Sequence, residues 1–297
     1  MNWKTVGKIA VSLGLIFYLI SKLDIKAIYE AFAQMDVVLL SFSLPFIFLM
    51  YLIKARKWQA LLECIDIKIP MLKSLEIILI GTFYGALTPG RAGEVLRAYY
   101  LNSERSRSIP TVIMDKIIDI ICLLVLSILS LAFFFKDWNL IYLMTLVMAF
   151  FIAGIIIITN EKFITFIFKA FSQNIEHTEN YIRTLREIIE NKKVLLSVFS
   201  LTLVYYFVSM IVYWIVIKSL SPALDSVLAF SLPIIVVLGN FPISISGFGL
   251  REFVSVTIFN LLNESSVYGF SCSVILCFLT TLSPAFFGFL LTLKKKP

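Results

Sequence analysis

The stretch "GALTPGRAGEVLRAYYL", residues 85–101, decides how this chain is read. It follows an apolar run and sits where a membrane helix should continue. Yet it holds Pro89, three glycines (Gly85, Gly90 and Gly93) and two arginines (Arg91 and Arg97). Proline ends the incoming helix, and glycine permits a tight reversal. A second apolar region, residues 227–262, breaks in a similar way at "GNFPISISGFGLRE", with Gly239, Pro242, Gly247, Gly249 and Arg251. Gly85 to Arg97 and Gly239 to Arg251 are the same separation, and the proline slips by one position.

The surrounding composition is that of a membrane protein. The chain has 297 residues, 60% of them hydrophobic and only 15% charged, well under the roughly 25% charge of soluble domains. Apolar segments at 5–21, 37–53, 110–135, 138–159, 194–217 and 267–293 reach or approach the ~20 residues that cross a bilayer. The expected fold is an all-α polytopic membrane protein forming a single integral domain. It has six full spans plus two re-entrant helical hairpins. A signal-peptide reading of the N-terminus is set aside, because "AFA" at 31–33 lies well past the first apolar run.

Lys and Arg set the expected orientation. The connections 54–73 and 160–193 and the tail Lys294-Lys295-Lys296 are basic, whereas the connections carrying Lys22, Lys26, Lys136 and Lys218 are poor in positive charge. Alternation then requires each interrupted region to enter and leave on one side, the first from the cytoplasm and the second from outside. Both termini are expected in the cytoplasm, in the cell membrane. The units 37–135 and 194–293 become an inverted repeat, a transporter pattern with its site near mid-membrane. The alternative is a second region that spans fully. Segment 160–193 repeats Ile182, Leu185, Ile188 and Ile189 at helical spacing, as an amphipathic helix on the membrane surface or against the bundle. Lys54–Ile65, with Trp58, Leu61 and Leu62, is expected to be an interfacial anchor. The net charge of +7 reads as affinity for anionic lipid, not nucleic acid.

Irregular backbone at membrane depth must be buried or line a wet cavity. Each half-helix leaving a hairpin tip is expected to aim free N–H groups at an anion, with Ser244 and Ser246 as caps or ligand donors. A central Arg costs about 2.5–3.5 kcal/mol on insertion scales, so Arg91, Arg97 and Arg251 need partners. Glu94 and Glu252 lie close in sequence. Asp115 and Asp119 share one helix face, and a helix starting near Thr111 would put Asp119 roughly 12 Å into the core. Two readings of these charges stand: they bind a lipid phosphate, or they pair only with one another. Arg91 and Arg97 also fit simple anchors at the cytoplasmic interface. Cys64, Cys122, Cys272 and Cys277 lack metal-ligand spacing, and His177 is the only histidine. No metal, cofactor or catalytic residue is expected.

"RKWQALL" at 56–62, "GTFYGALTPGRAGEVLRAYYL" from Gly81, "MDKIIDIICLL" from Met114 and "FPISISGFGLREF" from Phe241 resemble the flippase-like domain family. That family covers the transmembrane region of lysylphosphatidylglycerol synthases and many stand-alone proteins. The resemblance implies a domain that moves a lipid between leaflets; aminoacylated phosphatidylglycerol, hopanoids and polyprenyl-linked sugars are associated with its members. The chain departs from the family pattern at Ala92, where paired glycines are usual, and at Lys116, where Arg is usual. The expected function is thus a flippase or scramblase for an anionic or phosphate-containing (glyco)lipid, whose partner is a lipid with an anionic headgroup. The alternatives are a membrane-embedded lipid-modifying enzyme, using Asp115/Asp119 or Glu94/Glu252, and a non-transporting partner of a lipid synthase. Homo-oligomerisation is left open.

Overall fold

Polar side chains mark several helix starts. Asp24, Asp36, Asn191 and Ser265 each accept a bond from a first-turn backbone N–H, satisfying donors that a helix start leaves without partners. The computed structural model describes residues 3–101, 104–135, 138–171, 175–241, 243–244 and 246–294, and Pro242 and Lys295–Pro297 lie outside these. Among the described residues the elements are helical throughout. They begin with α1 (Trp3–Lys22), α2 (Ile25–Ala33), α3 (Val37–Ser41), α4 (Ser43–Glu63) and α5 (Met71–Ala86). A 3-10 helix, Ala92–Tyr100, precedes α6 (Arg105–Ser130), α7 (Trp138–Thr159), α8 (Glu161–Phe171), α9 (Ile175–Glu190) and α10 (Lys192–Leu220). The last helices are α11 (Leu232–Gly239), α12 (Leu250–Leu261), α13 (Ser266–Cys277) and α14 (Ser283–Lys294).

Four helical stretches are long and apolar enough to cross a membrane: Val37–Glu63, Arg105–Phe134, Lys192–Leu220 and Ser266–Lys294. The other two expected segments are the helices α1 and α7. Helix α6 starts at Arg105, where the N–H groups of Arg107 and Ser108 share the Glu104 carbonyl, and it carries Pro110 inside it. Asp119 therefore lies roughly 21 Å along the helix from its start at ~1.5 Å per residue, farther than the roughly 12 Å expected of a helix starting near Thr111. Helix α4 also differs from expectation. Lys54–Ile65 is no separate anchor, because the span continues unbroken to Glu63 and buries Lys54, Lys57 and Trp58. Of that connection's expected cations, Arg56 and Lys68 remain exposed and Lys73 half-buried.

The interrupted regions fold back on themselves. Gly81 faces Arg97 and Gly85 faces Glu94, so the arms run antiparallel. Helix α11 likewise returns through α12, with Gly239 against Arg251. The packing between the units is reciprocal. Helix α4 lies on α10; α5 packs against α14, and its counterpart α11 packs against α6. The outgoing arms are matched too, the 3-10 helix on α6 and α12 on α13. The incoming arm α5 thus meets the last helix of the second half, and the incoming arm α11 meets α6 of the first. The segment 160–193 is the helix pair α8 and α9. Tyr181, Leu185 and Ile188 are buried as α9 packs against α6, while Ile189 is exposed.

Close packing at a glycine supplies a stability test. A Cβ at Gly288 would lie 2.0 Å from the Leu79 carbonyl oxygen, where α14 crosses α5, whereas nothing lies within 4 Å of one at Gly154. Gly288→Ala should cost about 1–3 kcal/mol of stability, and Gly154→Ala should be neutral or stabilising. Melting temperatures in detergent check this; equal melting of the two variants would contradict the packing.

Candidate functional site

The first hairpin tip is built by Thr88–Arg91. Helix α5 ends at Ala86, ahead of Pro89, and Gly90 and Arg91 both take left-handed backbone angles (φ 59° and 58°). The Thr88 hydroxyl accepts from the Gly93 N–H at 2.7 Å. Gly93 has no room for a side chain, since a Cβ would sit 2.3 Å from the Tyr84 carbonyl oxygen. The neighbouring Ala92 is exposed and carries its Cβ freely, so the departure from paired glycines fits this backbone. The 3-10 winding that follows has three residues per turn, which aligns positions i and i+3. Glu94 and Arg97 lie in this winding and Arg91 caps it, so the three share one stripe.

That stripe meets α4 and α6 in a buried ion network. Lys57 Nζ lies 2.8 Å from Asp115 Oδ1 and also pairs with Asp119 Oδ1. Arg97 Nη2 reaches Asp115 Oδ2 at 2.6 Å, with its guanidinium 4.6 Å from the Trp58 ring centroid. Glu94 pairs with Arg91 at 3.0 Å and with Lys116. The sequence neighbours Glu94 and Arg97 do not pair; Arg97 takes Asp115 from the next helix instead. Neither Arg91 nor Arg97 is a surface anchor. Arg97 is only 1% exposed, and Arg91 is partly buried and faces a cavity.

The second tip differs in its chemistry. Ser246, Gly247 and Gly249 have positive φ. A Cβ at Gly239 would lie 2.2 Å from Arg251 Cγ, so the glycine makes room for the arginine. Arg251 Nη2 donates to Asn240 Oδ1 at 2.9 Å, while its buried Nε has no partner. Glu252 does not pair with Arg251. Its carboxylate closes the start of α12, accepting from the Gly249 N–H at 2.6 Å and from the Ser273 hydroxyl at 3.2 Å. The N–H groups expected to be free are bonded locally at the first tip, and at the second the Gly249 N–H is taken by Glu252. At the first, Arg91, Ala92, Gly93 and Glu94 donate to Thr88 O, Pro89 O, Thr88 Oγ1 and Arg91 O. Among the described residues Ser244 and Ser246 cap no helix; their buried hydroxyls are unpartnered and lie outside the cavity lining.

A cavity of about 160 Å³ lies between the two tips, with Gly90 and Arg91 on one side and Asn240 and Arg251 on the other. Its depth follows from the helices. The central residue of Val37–Glu63 is Met50, of Lys192–Leu220 Tyr206, and of Ser266–Lys294 Thr280; Asp119 and Ile120 straddle the centre of Arg105–Phe134. All five line the cavity. Its charged lining is Lys54, Arg91, Lys116 and Arg251 against Asp119 alone. Glu94 and Glu252 stand behind it and hold the lining residues Arg91, Lys116 and Ser273 directly, whereas Asp115 and Arg97 reach the lining only through Lys57, which pairs with Asp119.

The match to known proteins covers this whole assembly. The family model described as "Lysylphosphatidylglycerol synthase TM region" matches residues 5–288. The chain belongs to that family. No curated protein matches it. Membership in the lysylphosphatidylglycerol synthase TM-region family agrees with the all-helical, apolar fold and its spanning helices.

Two site residues escaped the sequence reading. Lys54 and Lys57 look like loop lysines beside Arg56, yet both are buried, at 7% and 2% exposure. Their spacing from Met50 and Trp58 on one helix was the available signal. They differ sharply in partners. Lys57 has two carboxylates, whereas among the described residues Lys54 has none within ion-pair distance. Lys54 lies instead 5.7 Å from the Tyr51 ring centroid and 5.6 Å from that of Tyr205. Asp115→Asn should therefore cost about 3–5 kcal/mol, since it strips charge from Lys57 and Arg97. Lys54→Met should be neutral or raise the melting temperature, since it removes a buried cation with no carboxylate partner. Comparable losses in both variants would refute this division.

Proposed function

We propose that this chain is a lipid flippase or scramblase that carries an anionic, phosphate-containing headgroup through the cavity between its hairpins while the acyl chains stay in lipid. The observation that carries the reading is an excess of positive charge lining a cavity level with the central residues of the four long helices. Buried charge at that depth is expensive and normally marks a pathway or a partner. Four cations and one acid line the cavity, and that acid is already committed to Lys57. A headgroup that itself carries lysine would add positive charge here, so the lining favours an anion over an aminoacylated headgroup.

In this proposal six spans and two oppositely oriented re-entrant hairpins form an inverted repeat in the cell membrane, with both termini cytoplasmic. The reciprocal packing of α5 on α14 and α11 on α6 supports that arrangement, as does a cavity shared by both tips. The acids nominated for acid–base chemistry are bound to cations or to a helix start, which favours transport over lipid modification.

Reconstitution into vesicles with fluorescent phosphatidylglycerol tests the function. Leaflet exchange should be present in the wild type, fall at least about tenfold in Arg251→Ala, the scale of one lost charge-assisted bond, and persist in Arg183→Ala on the surface of α9. Wild-type protein that exchanges no lipid, with or without an ion gradient, sinks the proposal. For topology, a cysteine introduced at Ser265 in a background with Cys64, Cys122, Cys272 and Cys277 all replaced by Ser should label from outside. Labelling from the cytoplasm removes the second re-entrant hairpin.

A further inference from the structure

The charges around the cavity can be balanced one group at a time. Lys57 and Arg97 against Asp115 and Asp119 form a neutral set. Arg91 and Lys116 share the single carboxylate of Glu94, leaving one positive charge. Lys54 and Arg251 add one each, and Glu252, turned to the start of α12, takes one away. The sum is two positive charges without an internal counter-ion.

The two cations that lack a carboxylate partner come from opposite halves of the fold. Lys54, on α4, is held by the faces of Tyr51 and Tyr205, and ring quadrupoles are a weak substitute for an anion. Arg251, on α12, is 8% exposed and among the described residues has only the neutral Asn240 amide as a side-chain partner, with its Nε unpaired. Both line the same cavity. Leaving one such charge uncompensated is costly, and leaving two is more so. A ligand that brings two negative charges removes both deficits at once, and one with a single charge does not.

We propose that the cavity is matched to a doubly charged phosphate headgroup, a lipid phosphomonoester or diphosphate, clamped between Lys54 and Arg251. The guanidinium suits two phosphate oxygens through its planar fork, and the ammonium acts as a point charge on the opposite side. Lys54 is thereby a headgroup-binding residue. The inference rests on the headgroup site proposed above and narrows its ligand from anionic lipids at large to dianionic ones.

Binding tests it independently of transport. Purified protein in detergent at pH 8, where a phosphomonoester carries close to two charges, is titrated with dioleoyl phosphatidic acid, dioleoyl phosphatidylglycerol and dioleoyl phosphatidylcholine, with thermal stabilisation as the readout. Phosphatidic acid should half-saturate at a concentration at least about tenfold below that of phosphatidylglycerol, the scale of one extra charge-assisted bond. Phosphatidylcholine should not stabilise. Lys54→Gln and, separately, Arg251→Gln should bring phosphatidic acid to the phosphatidylglycerol level. Equal binding of the two anionic lipids by the wild type overturns the inference and leaves transport standing. Inorganic phosphate that stabilises as well as phosphatidic acid overturns its lipid part. Tight phosphatidic acid binding without leaflet exchange sinks the transport proposal and upholds this one.

Discussion

Lys57 is the group on which the other charges depend. It reaches two carboxylates one helical turn apart on α6, and Asp115 also takes Arg97 from the first hairpin. Three separate elements are thus tied at one neutral, buried point. A pair of acids at that depth would otherwise be the dominant local charge and would draw the lining cations onto themselves. With Asp115 and Asp119 already occupied, Lys54 and Arg251 keep their charge for the cavity. The buried salt bridge need not be strongly stabilising overall, because desolvation offsets much of its Coulombic gain. Its value lies in fixing which charges are spent internally.

Small residues complement this network. Gly239 and Gly85 each give up a side chain so that a long charged one, Arg251 or Glu94, can lie flat against the opposite arm. The two arms of each hairpin therefore touch through a charged side chain over bare backbone. Such a contact buries ionisable groups without exposing the hairpin's own peptide groups, which bond locally at the first tip. The resulting polar surface is made of side chains, and the backbone supplies only its shape.

Much of the architecture was readable in the sequence because glycine and proline interrupt apolar runs at matching intervals. The location of the breaks, the fold-back glycines and the buried arginines follow from that pattern. Ion partners were not readable in the same way. Glu94 and Arg97 are three apart, which suggests a pair on an α-helix. A 3-10 winding keeps them on one stripe, where each meets different residues from α4 and α6. Glu252 looked like the neighbour of Arg251 and turned out to be a helix cap, an assignment that needs the backbone angle of Gly249. Lys54 and Lys57 were misread because a basic cluster after an apolar run normally marks a membrane boundary. Here the helix continues past it, and only tertiary packing shows that two of its cations point inward.

The 3-10 winding of Ala92–Tyr100 also fixes a length. At about 2.0 Å per residue its nine residues reach roughly 18 Å, against about 13.5 Å for the same chain wound as an α-helix. An α-winding would also carry Arg97 around the axis by roughly 60° relative to Glu94, since each step turns about 100° rather than 120°. Arg97 would then turn away from Asp115 while Glu94 still met Lys116. The segment acts as a ruler: its stretch carries the chain from the tip back to α6, and its three-fold register decides which charge faces which wall.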